Sequence, residues 1–279
     1  MSEHLYRLAA FSTDPAKGNP AGVWMGDELP DTKTMQRIAA EVGYSETAFM
    51  APASGTIRAI RYYSPLAEVN FCGHATIASG VMLGRLNGTG TYQLDAAVGR
   101  VTVKVDTMDG QIQAALTSVE PTQKPVTAEL VDEVLALLKW SPNELDPAIP
   151  PVFAYGGVWH LVLAVSSRDR LSQLDYDFEK LKALMSREGL TTLQLVFREH
   201  SALFHSRNPF PIGGVVEDPA TGAAAAALGG YLRDAKLINV PAQFLIKQGE
   251  DMGRLSLLTV EVPERGGVLV AGTAAEIPN

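Results

Sequence analysis

The sequence is poor in cysteine, since Cys72 is the only one among 279 residues. An intrachain disulfide is therefore impossible, and a racemase that uses two thiols is excluded. Apolar runs of membrane-spanning length are also lacking. The N-terminus MSEHLYRLAAF has no basic-then-apolar pattern of the kind that marks a signal peptide. These absences lead us to expect a cytoplasmic protein that does not bind a membrane.

Basic residues are in the minority as well. The sequence has 23 Lys and Arg against 31 Asp and Glu, which gives a net charge of -8, and it contains no run of basic residues. A phosphate backbone needs a basic surface, so nucleic acid is a poor candidate partner. Because 46% of the residues are hydrophobic and only 19% are charged, the chain has enough apolar residues for the cores of two ordinary domains.

Residue patterns predict many strands and few helices. Alternating apolar and polar residues on both sides of Asp109-Gly110 predict a β-hairpin. Apolar residues at helical spacing predict a helix from Thr32 to Val42 that ends at Gly43. The same patterns predict two further helices, at 127–139 and 176–188, and five strands, at 57–63, 158–166, 190–198, 243–248 and 255–262.

One segment has the composition of a linker. Residues 118–129, SVEPTQKPVTAE, contain two prolines and polar residues between a strand pattern and a helix pattern. We therefore place a domain boundary there, which divides the chain into an N-terminal half at 1–120 and a C-terminal half at 121–279. A linker at this point would also permit the halves to close on a ligand.

Two segments suggest an internal duplication. Residues 71–86, FCGHATIASGVMLGRL, match residues 217–232, EDPATGAAAAALGGYL, at a constant offset of 146. The identical pairs are Ala78/Ala224, Gly84/Gly230 and Leu86/Leu232. A helix that is small or apolar all round has no solvent face, so each should be buried on every side. We therefore predict an α+β fold of two pseudo-symmetric domains, each a curled, barrel-like, mixed and largely antiparallel sheet around one central helix.

The start of each central helix is a candidate ligand site. If the halves face each other, free backbone N–H groups from both helix N-termini would meet and could hold a carboxylate. Asp218 then has two interpretations. The commoner one makes Asp218 the N-cap and Pro219 the first helical residue. The other makes the Asp218 carboxylate a chemical group beside the ligand.

Three side chains near these motifs could take part in chemistry. Glu46 lies between apolar neighbours in a predicted strand, which is an environment suited to proton transfer by a carboxyl group, although a solvent-facing glutamate is the commoner case. His74 and Cys72 lie at the start of the first central helix, where each could be structural or reactive. No other histidine lies at metal-ligand spacing from His74, so we predict no metal site.

Five motifs resemble a known family. In order along the chain they are GNPAGVW, SETAFM, EVNFCGHAT, EDPATGAA and QGEDMGRLS. Together they resemble the PhzF-like family of phenazine biosynthesis, which has the diaminopimelate epimerase fold. The resemblance covers nearly the whole chain and implies two halves with the active site between them. It also implies that the last strand can cross back to the first domain.

The resemblance implies proton transfer without a cofactor. In the phenazine enzyme the glutamate of the SETAF motif removes a proton from a dihydro-hydroxyanthranilate and returns it elsewhere on the ring, and Glu46 matches that residue. The family's ligand contacts map onto His74 and Asp218, and position 223 is Ala where the family has Ser. The missing hydroxyl removes one hydrogen bond, which costs about 1 kcal/mol if its partner stays buried, and puts the phenazine substrate itself in question.

The expected site therefore has a catalytic set and a binding set. Glu46, His74 and Asp218 form the first set, and the second is Asn19, Gly73, Gly222 and Ala223. The leading hypothesis is an isomerase that moves a proton on a small carboxylate-bearing, possibly cyclic, amino-acid-like substrate. An epimerase or racemase that uses Glu46 with Asp218 or Cys72 is the alternative enzyme, and a non-catalytic binding protein is the alternative class. The resemblance also implies a homodimer.

Overall fold

The computed structural model describes residues 4–54 and 57–278. Contacts between Cα atoms divide the chain into two compact units, one of Met1–Thr117 with Ala271–Asn279 and one of Ser118–Val270.

The described residues up to Thr117 form eight strands and two helices. The strands are β1 (His4–Ala10), β2 (Asn19–Met25), β3 (Glu46–Ser54), β4 (Ile57–Tyr63), β5 (Glu68–Val69), β6 (Gly90–Ala96), β7 (Gly99–Met108) and β8 (Gln111–Thr117). The helices are α1 (Thr32–Val42) and α2 (Gly73–Asn87).

The second part contains nine strands and four helices, and one more strand follows. The strands are β9 (Thr122–Lys124), β10 (Val152–Tyr155), β11 (Trp159–Ala164), β12 (Thr192–His200), β13 (Leu203–Pro209), β14 (Glu217–Asp218), β15 (Ala242–Gln248), β16 (Ser256–Val262) and β17 (Leu269–Gly272). The helices are α3 (Ala128–Leu138), α4 (Arg168–Ser172), α5 (Phe178–Glu188) and α6 (Gly222–Asp234). The last strand, β18 (Ala274–Glu276), pairs with β1.

The two units have the same strand topology. In the first unit β1 to β4 pair in sequence order, antiparallel except for the parallel pair β2–β3, and β4 also pairs with β5 and, in parallel, with β6. In the second unit β10 to β13 repeat this pattern, with β14 and β15 in the places of β5 and β6. The prediction of an α+β fold with two pseudo-symmetric halves is confirmed.

The duplication also has a definite register. The bounds of α1, β3 and β4 match those of α5, β12 and β13 at a constant offset of 146 residues. The loop between β13 and β14 is three residues longer than the loop between β4 and β5, so β14 and α6 begin 149 residues after β5 and α2. The sequence match at offset 146 is therefore out of register within the central helices, because it ignores this insertion.

The central helices are buried on every side, as predicted. In α2 every residue from His74 to Gly84 is buried, and in α6 every residue from Ala224 to Arg233 is buried. Glycines permit the close approach. A Cβ on Gly80 would lie 2.7 Å from Ala114 Cβ, and a Cβ on Gly156 would lie 2.4 Å from the carbonyl oxygen of Ala223. Both approaches are closer than a side chain allows.

The local predictions have a mixed outcome. The predicted hairpin is formed by β7 and β8, with positive φ at Asp109 and Gly110, and α1 ends at Gly43 in the left-handed conformation. The two units divide at the start of the predicted linker at 118–129, and β9 forms within this segment and pairs with β10. Among the described residues, no helix combines the length and apolarity needed to cross a membrane.

Candidate active site

Glu46 is the first residue of β3 and faces the central helix of its unit. In the parallel pair β2–β3, Glu46 is in register with Ala21, which places both on one face of the sheet. Asn19 is two residues before Ala21, so it shares this face, and it is 1% exposed. The opposite face contains Phe49, which packs with α1 in a separate hydrophobic cluster. The strand therefore directs Glu46 and Asn19 toward the interior side.

His74 lies beside Glu46 at the start of α2. Its Nε2 is 3.5 Å from Glu46 Oε2 and 3.5 Å from Ser45 Oγ, while its Nδ1 is 3.4 Å from Cys72 Sγ. The Glu46 side chain is 20% exposed and the His74 side chain 8%. Both side chains are therefore mostly buried, but solvent can still reach them. Distances of this length are common in unliganded catalytic sites and shorten when substrate binds.

The entry to α2 is held by a buried hydrogen-bond chain. Thr76 Oγ1 donates to the Cys72 carbonyl oxygen at 2.6 Å, so the Tyr62 hydroxyl, 2.6 Å from Thr76 Oγ1, must be the donor in that contact. Burial raises the pKa of Tyr62, which keeps its hydroxyl protonated. This chain fixes the backbone from which Cys72 and His74 project.

The same three side chains could also hold a metal ion. Glu46, Cys72 and His74 offer an oxygen, a sulfur and a nitrogen atom that all lie within 4.8 Å of one another. These are ligand types that zinc accepts, and three protein ligands with one open position are typical of catalytic zinc. The prediction of no metal site rested on the spacing between histidines and did not consider Glu46, which is distant from His74 along the chain and is brought beside it by the fold.

Gly73 begins α2 and leaves its N-terminus accessible. A Cβ at this position would meet no atom within 4 Å apart from its chain neighbours and the adjoining backbone of its own helix. The first backbone N–H groups of a helix have no partner within the helix, so they are available to a ligand that approaches here.

In the second unit, Asp218 lies before α6 and does not occupy the N-cap position. The helix begins at Gly222 and its N-cap residue is Thr221. The interpretation of Asp218 as the N-cap and Pro219 as the first helical residue is wrong, because both belong to the segment that enters the helix. Thr221 Oγ1 donates to Asp218 Oδ2 at 2.6 Å. Thr221 thus occupies the N-cap position, which was not predicted from the sequence, but its side chain makes no capping hydrogen bond to α6.

Gly222 and Ala223 form the first turn of α6. As at Gly73, a Cβ on Gly222 would meet no atom within 4 Å apart from its chain neighbours and the adjoining backbone of its own helix. By the structural register, His74 corresponds to Ala223 and Cys72 to Thr221. The two helix starts are thus alike in backbone and different in side-chain chemistry.

The structure brings some of the predicted residues together and leaves others in separate units. Glu46, His74 and Gly73 lie in the first unit, where Asn19 shares the Glu46 face. Asp218, Gly222 and Ala223 lie in the second unit. Two residues of these surroundings, Thr221 and Gln248, were not singled out from the sequence. The functional roles assigned to all of these residues stay predictions.

Comparison with known proteins decides the family. The model for phenazine biosynthesis-like protein, PhzC-PhzF, matches residues 8–278. The chain belongs to this family. A Bacillus subtilis protein named uncharacterized isomerase YfhB is 30% identical to it over 96% of this chain and 94% of that protein. Relatives from Deinococcus radiodurans and Escherichia coli are likewise named isomerases. The comparisons indicate that this phenazine biosynthesis-like protein is an isomerase.

Solved structures of the family have the same fold. A Bacillus anthracis phenazine biosynthesis protein of the PhzF family superposes with a TM-score of 0.89, at 23% identity, over 100% of this chain and 98% of that one. A predicted epimerase from Pseudomonas aeruginosa gives a TM-score of 0.86 at 23% identity, over 99% of this chain and 98% of that one. At these identities the likeness concerns the fold.

Proposed function

We propose that this phenazine biosynthesis-like protein is a cofactor-independent isomerase that moves a proton on a small carboxylate-bearing, amino-acid-like and possibly cyclic substrate. The observation that carries the proposal is the Glu46–His74 pair, a partly exposed carboxylate 3.5 Å from an imidazole at the start of a buried helix. The proposal includes the family arrangement, in which the substrate binds in a cleft between the two domains.

The proposed step conserves atoms and electrons. Glu46 takes a proton from a carbon next to a conjugated or carboxylate-activated centre, and the electron pair of that C–H bond enters the conjugated system. The proton on the Glu46 carboxyl group exchanges with solvent, because this side chain is 20% exposed. Glu46 then gives a proton to a different carbon, where a new C–H bond forms, and nothing is oxidised or reduced. His74, in contact with Glu46 Oε2, orients the carboxyl group and the substrate.

The duplicated register supports proton migration over epimerisation. The residue that corresponds to Glu46 in the second unit is Thr192, which is fully buried and hydrogen-bonded to His160 and Asn208. Epimerisation at one carbon usually needs a proton-transfer group on each face, and the matching position has no carboxylate. One acid that takes and returns a proton suits migration.

The second half of the proposed site binds polar groups of the substrate. The accessible N-terminus of α6, at Gly222 and Ala223, suits a carboxylate. Asp218 suits an amino or hydroxyl group, because its carboxylate can only accept hydrogen bonds. Together they favour a substrate that has both groups.

A screen in D2O tests the proposal. Dihydro-hydroxyanthranilate and a set of small amino acids are incubated with the protein and followed by proton NMR, with and without a chelator such as EDTA. We expect a positional isomer that contains deuterium at the newly protonated carbon, at a rate that EDTA does not change. Loss of optical activity with deuterium at the α-carbon would instead establish the epimerase. Saturable binding without conversion would establish the binding protein, and inactivation by EDTA would contradict cofactor independence.

The homodimer belongs to the proposal as well. Light scattering during gel filtration should give a mass of two chains. A mass of one chain at assay concentration would remove this part of the proposal and leave the proton transfer untouched.

A further inference from the structure

Gln248 reaches the Asp218 segment from the last position of β15. Its side chain is 2% exposed and takes part in three hydrogen bonds. Gln248 Oε1 accepts from the Thr221 N–H at 3.1 Å, and Gln248 Nε2 donates to the Asp218 carbonyl oxygen at 2.7 Å and to Thr221 Oγ1 at 2.9 Å. One buried amide therefore holds both ends of the turn that precedes α6.

The donors and acceptors around Gln248 permit only one of the two possible orientations of its side-chain amide. Its oxygen must face the Thr221 N–H, which can only donate, and its nitrogen must face the Asp218 carbonyl, which can only accept. Because Thr221 Oγ1 already accepts from Gln248, its one hydrogen is directed to Asp218 Oδ2, 2.6 Å away. The Gln248 amide thus sets the direction of the hydrogen bond from Thr221 Oγ1 to the Asp218 carboxylate.

We propose that Gln248 is the positioning residue for Asp218 and acts through the Thr221 hydroxyl. The inference rests on the proposed function, in which Asp218 orients the substrate. In this role Gln248 does not contact the substrate. It holds the Asp218 carboxylate in the one orientation that the Thr221 hydroxyl specifies.

The corresponding place in the first unit lacks such a residue. The parallel pair β4–β6 joins Ile57 to Gln93, and the matching pair β13–β15 joins Leu203 to Leu245. Three residues further along each strand, the residue that corresponds to Gln248 is Ala96. An alanine side chain forms no hydrogen bond, so only the half that contains Asp218 has this amide.

The test compares three variants of the full-length protein. Gln248→Met keeps the chain length and removes all three hydrogen bonds, whereas Gln248→Glu keeps the acceptor for the Thr221 N–H and loses the amide donors. Gln194→Met is the matched control, because Gln194 is also a buried strand glutamine of the second unit, at 1% exposure. The readouts without ligand are hydrogen exchange at the Thr221 amide and the carboxyl ¹³C resonance of Asp218. The readout with ligand is the dissociation constant of anthranilate, a stable aromatic amino acid.

We expect Gln248→Met to speed exchange at Thr221, to shift the Asp218 resonance and to weaken anthranilate binding by about tenfold. Gln248→Glu should keep Thr221 protected and yet lose anthranilate affinity. With a converted substrate, KM should rise while kcat changes less. Gln194→Met should leave all of these values as in the wild type.

Two results would overturn the inference. An unchanged Asp218 resonance in both Gln248 variants would show that the amide does not orient the carboxylate. Unchanged anthranilate affinity beside a shifted resonance would show that this orientation has no part in binding. Failure of the wild type to bind anthranilate would count against the proposed substrate class, while the Asp218 resonance would still decide whether Gln248 positions Asp218.

Discussion

Each ring nitrogen of His74 has a contact, so the neighbouring side chains determine how the imidazole ring is oriented toward the Glu46 carboxylate. Nδ1 lies 3.4 Å from Cys72 Sγ, and Nε2 lies 3.5 Å from both Glu46 and Ser45. We expect His74→Ala to lower kcat/KM by about 10² or more, because a misplaced acid/base group or substrate costs this much in rate. Cys72→Ser should cost less than about tenfold, since a hydroxyl can still hydrogen-bond Nδ1.

Steady-state kinetics of the two variants, with thermal unfolding as a check on folding, measures this difference. Equal losses in both would contradict the subordinate role of Cys72 and would favour Cys72 as a proton-transfer group, as in the alternative epimerase.

His160 makes stability depend on pH. Burial without a charged partner lowers the pKa of His160 from 6.5 to about 3. The unfolded chain therefore binds a proton below pH 6.5 that the folded protein does not bind. Stability from this group is fully present above pH 6.5 and falls as pH decreases toward 3, by up to about 1.4 kcal/mol per pH unit.

Urea unfolding between pH 7.5 and 4.5 tests this dependence. His160→Asn keeps an acceptor for Thr192 and removes the titrating ring, so its free energy of unfolding should fall less steeply with acid than that of the wild type. His200→Asn, at an exposed position, should retain the wild-type slope. Parallel curves for His160→Asn and the wild type would show that His160 does not govern acid stability.

At the scale of elements, the glycines of the central helices have two different purposes. Gly80 lies against the sheet, where a Cβ would approach Val103 Cγ1 to 2.7 Å. Gly222 starts α6, and apart from its chain neighbours and the adjoining helix backbone no atom lies within 4 Å of its Cβ position. The first glycine permits packing, and under the proposed function the second leaves room for a ligand.

Alanine substitutions separate these purposes. Gly222→Ala should raise the free energy of unfolding slightly, by up to about 1 kcal/mol, because the unfolded chain loses freedom. It should also weaken carboxylate binding, because the methyl group covers the N–H groups of the first turn. Gly80→Ala should lower stability by about 1–3 kcal/mol through overpacking. Unchanged ligand affinity in Gly222→Ala would remove α6 from the proposed site.

The elements that sequence patterns predicted are those with local determinants. The helix α1 and the hairpin β7–β8 were predicted because their periodicity and their turn residues lie within one short segment. The two-residue strands β5 and β14 have no periodicity and form only by pairing with β4 and β13. The register of the two central helices was not predicted, because the β13–β14 loop contains three additional residues. Small residues match one another at many offsets, so the helix sequences did not indicate this insertion.

At the scale of the whole molecule, the two units share one strand topology but have different side chains at corresponding positions. The side chains of Glu46, His74 and Cys72 correspond to Thr192, Ala223 and Thr221, and Asp218 corresponds to Val69. Sequence motifs identified Glu46, His74 and Asp218 as candidates. The motif QGEDMGRLS includes Gln248, but its bonds to Thr221 and Asp218 join residues 27 and 30 apart. Such contacts follow from strand placement, which the sequence pattern does not specify.

The most direct test of the central claim is proton NMR of dihydro-hydroxyanthranilate in D2O with three proteins. These are the wild type, Glu46→Gln and Glu41→Gln, the last being an exposed carboxylate of the same unit. We expect conversion with deuterium incorporation by the wild type and by Glu41→Gln. In Glu46→Gln, turnover should fall by a factor of about 10² or more while ligand binding stays nearly unchanged. Conversion by Glu46→Gln at the wild-type rate would contradict the assignment of Glu46 as the acid and base.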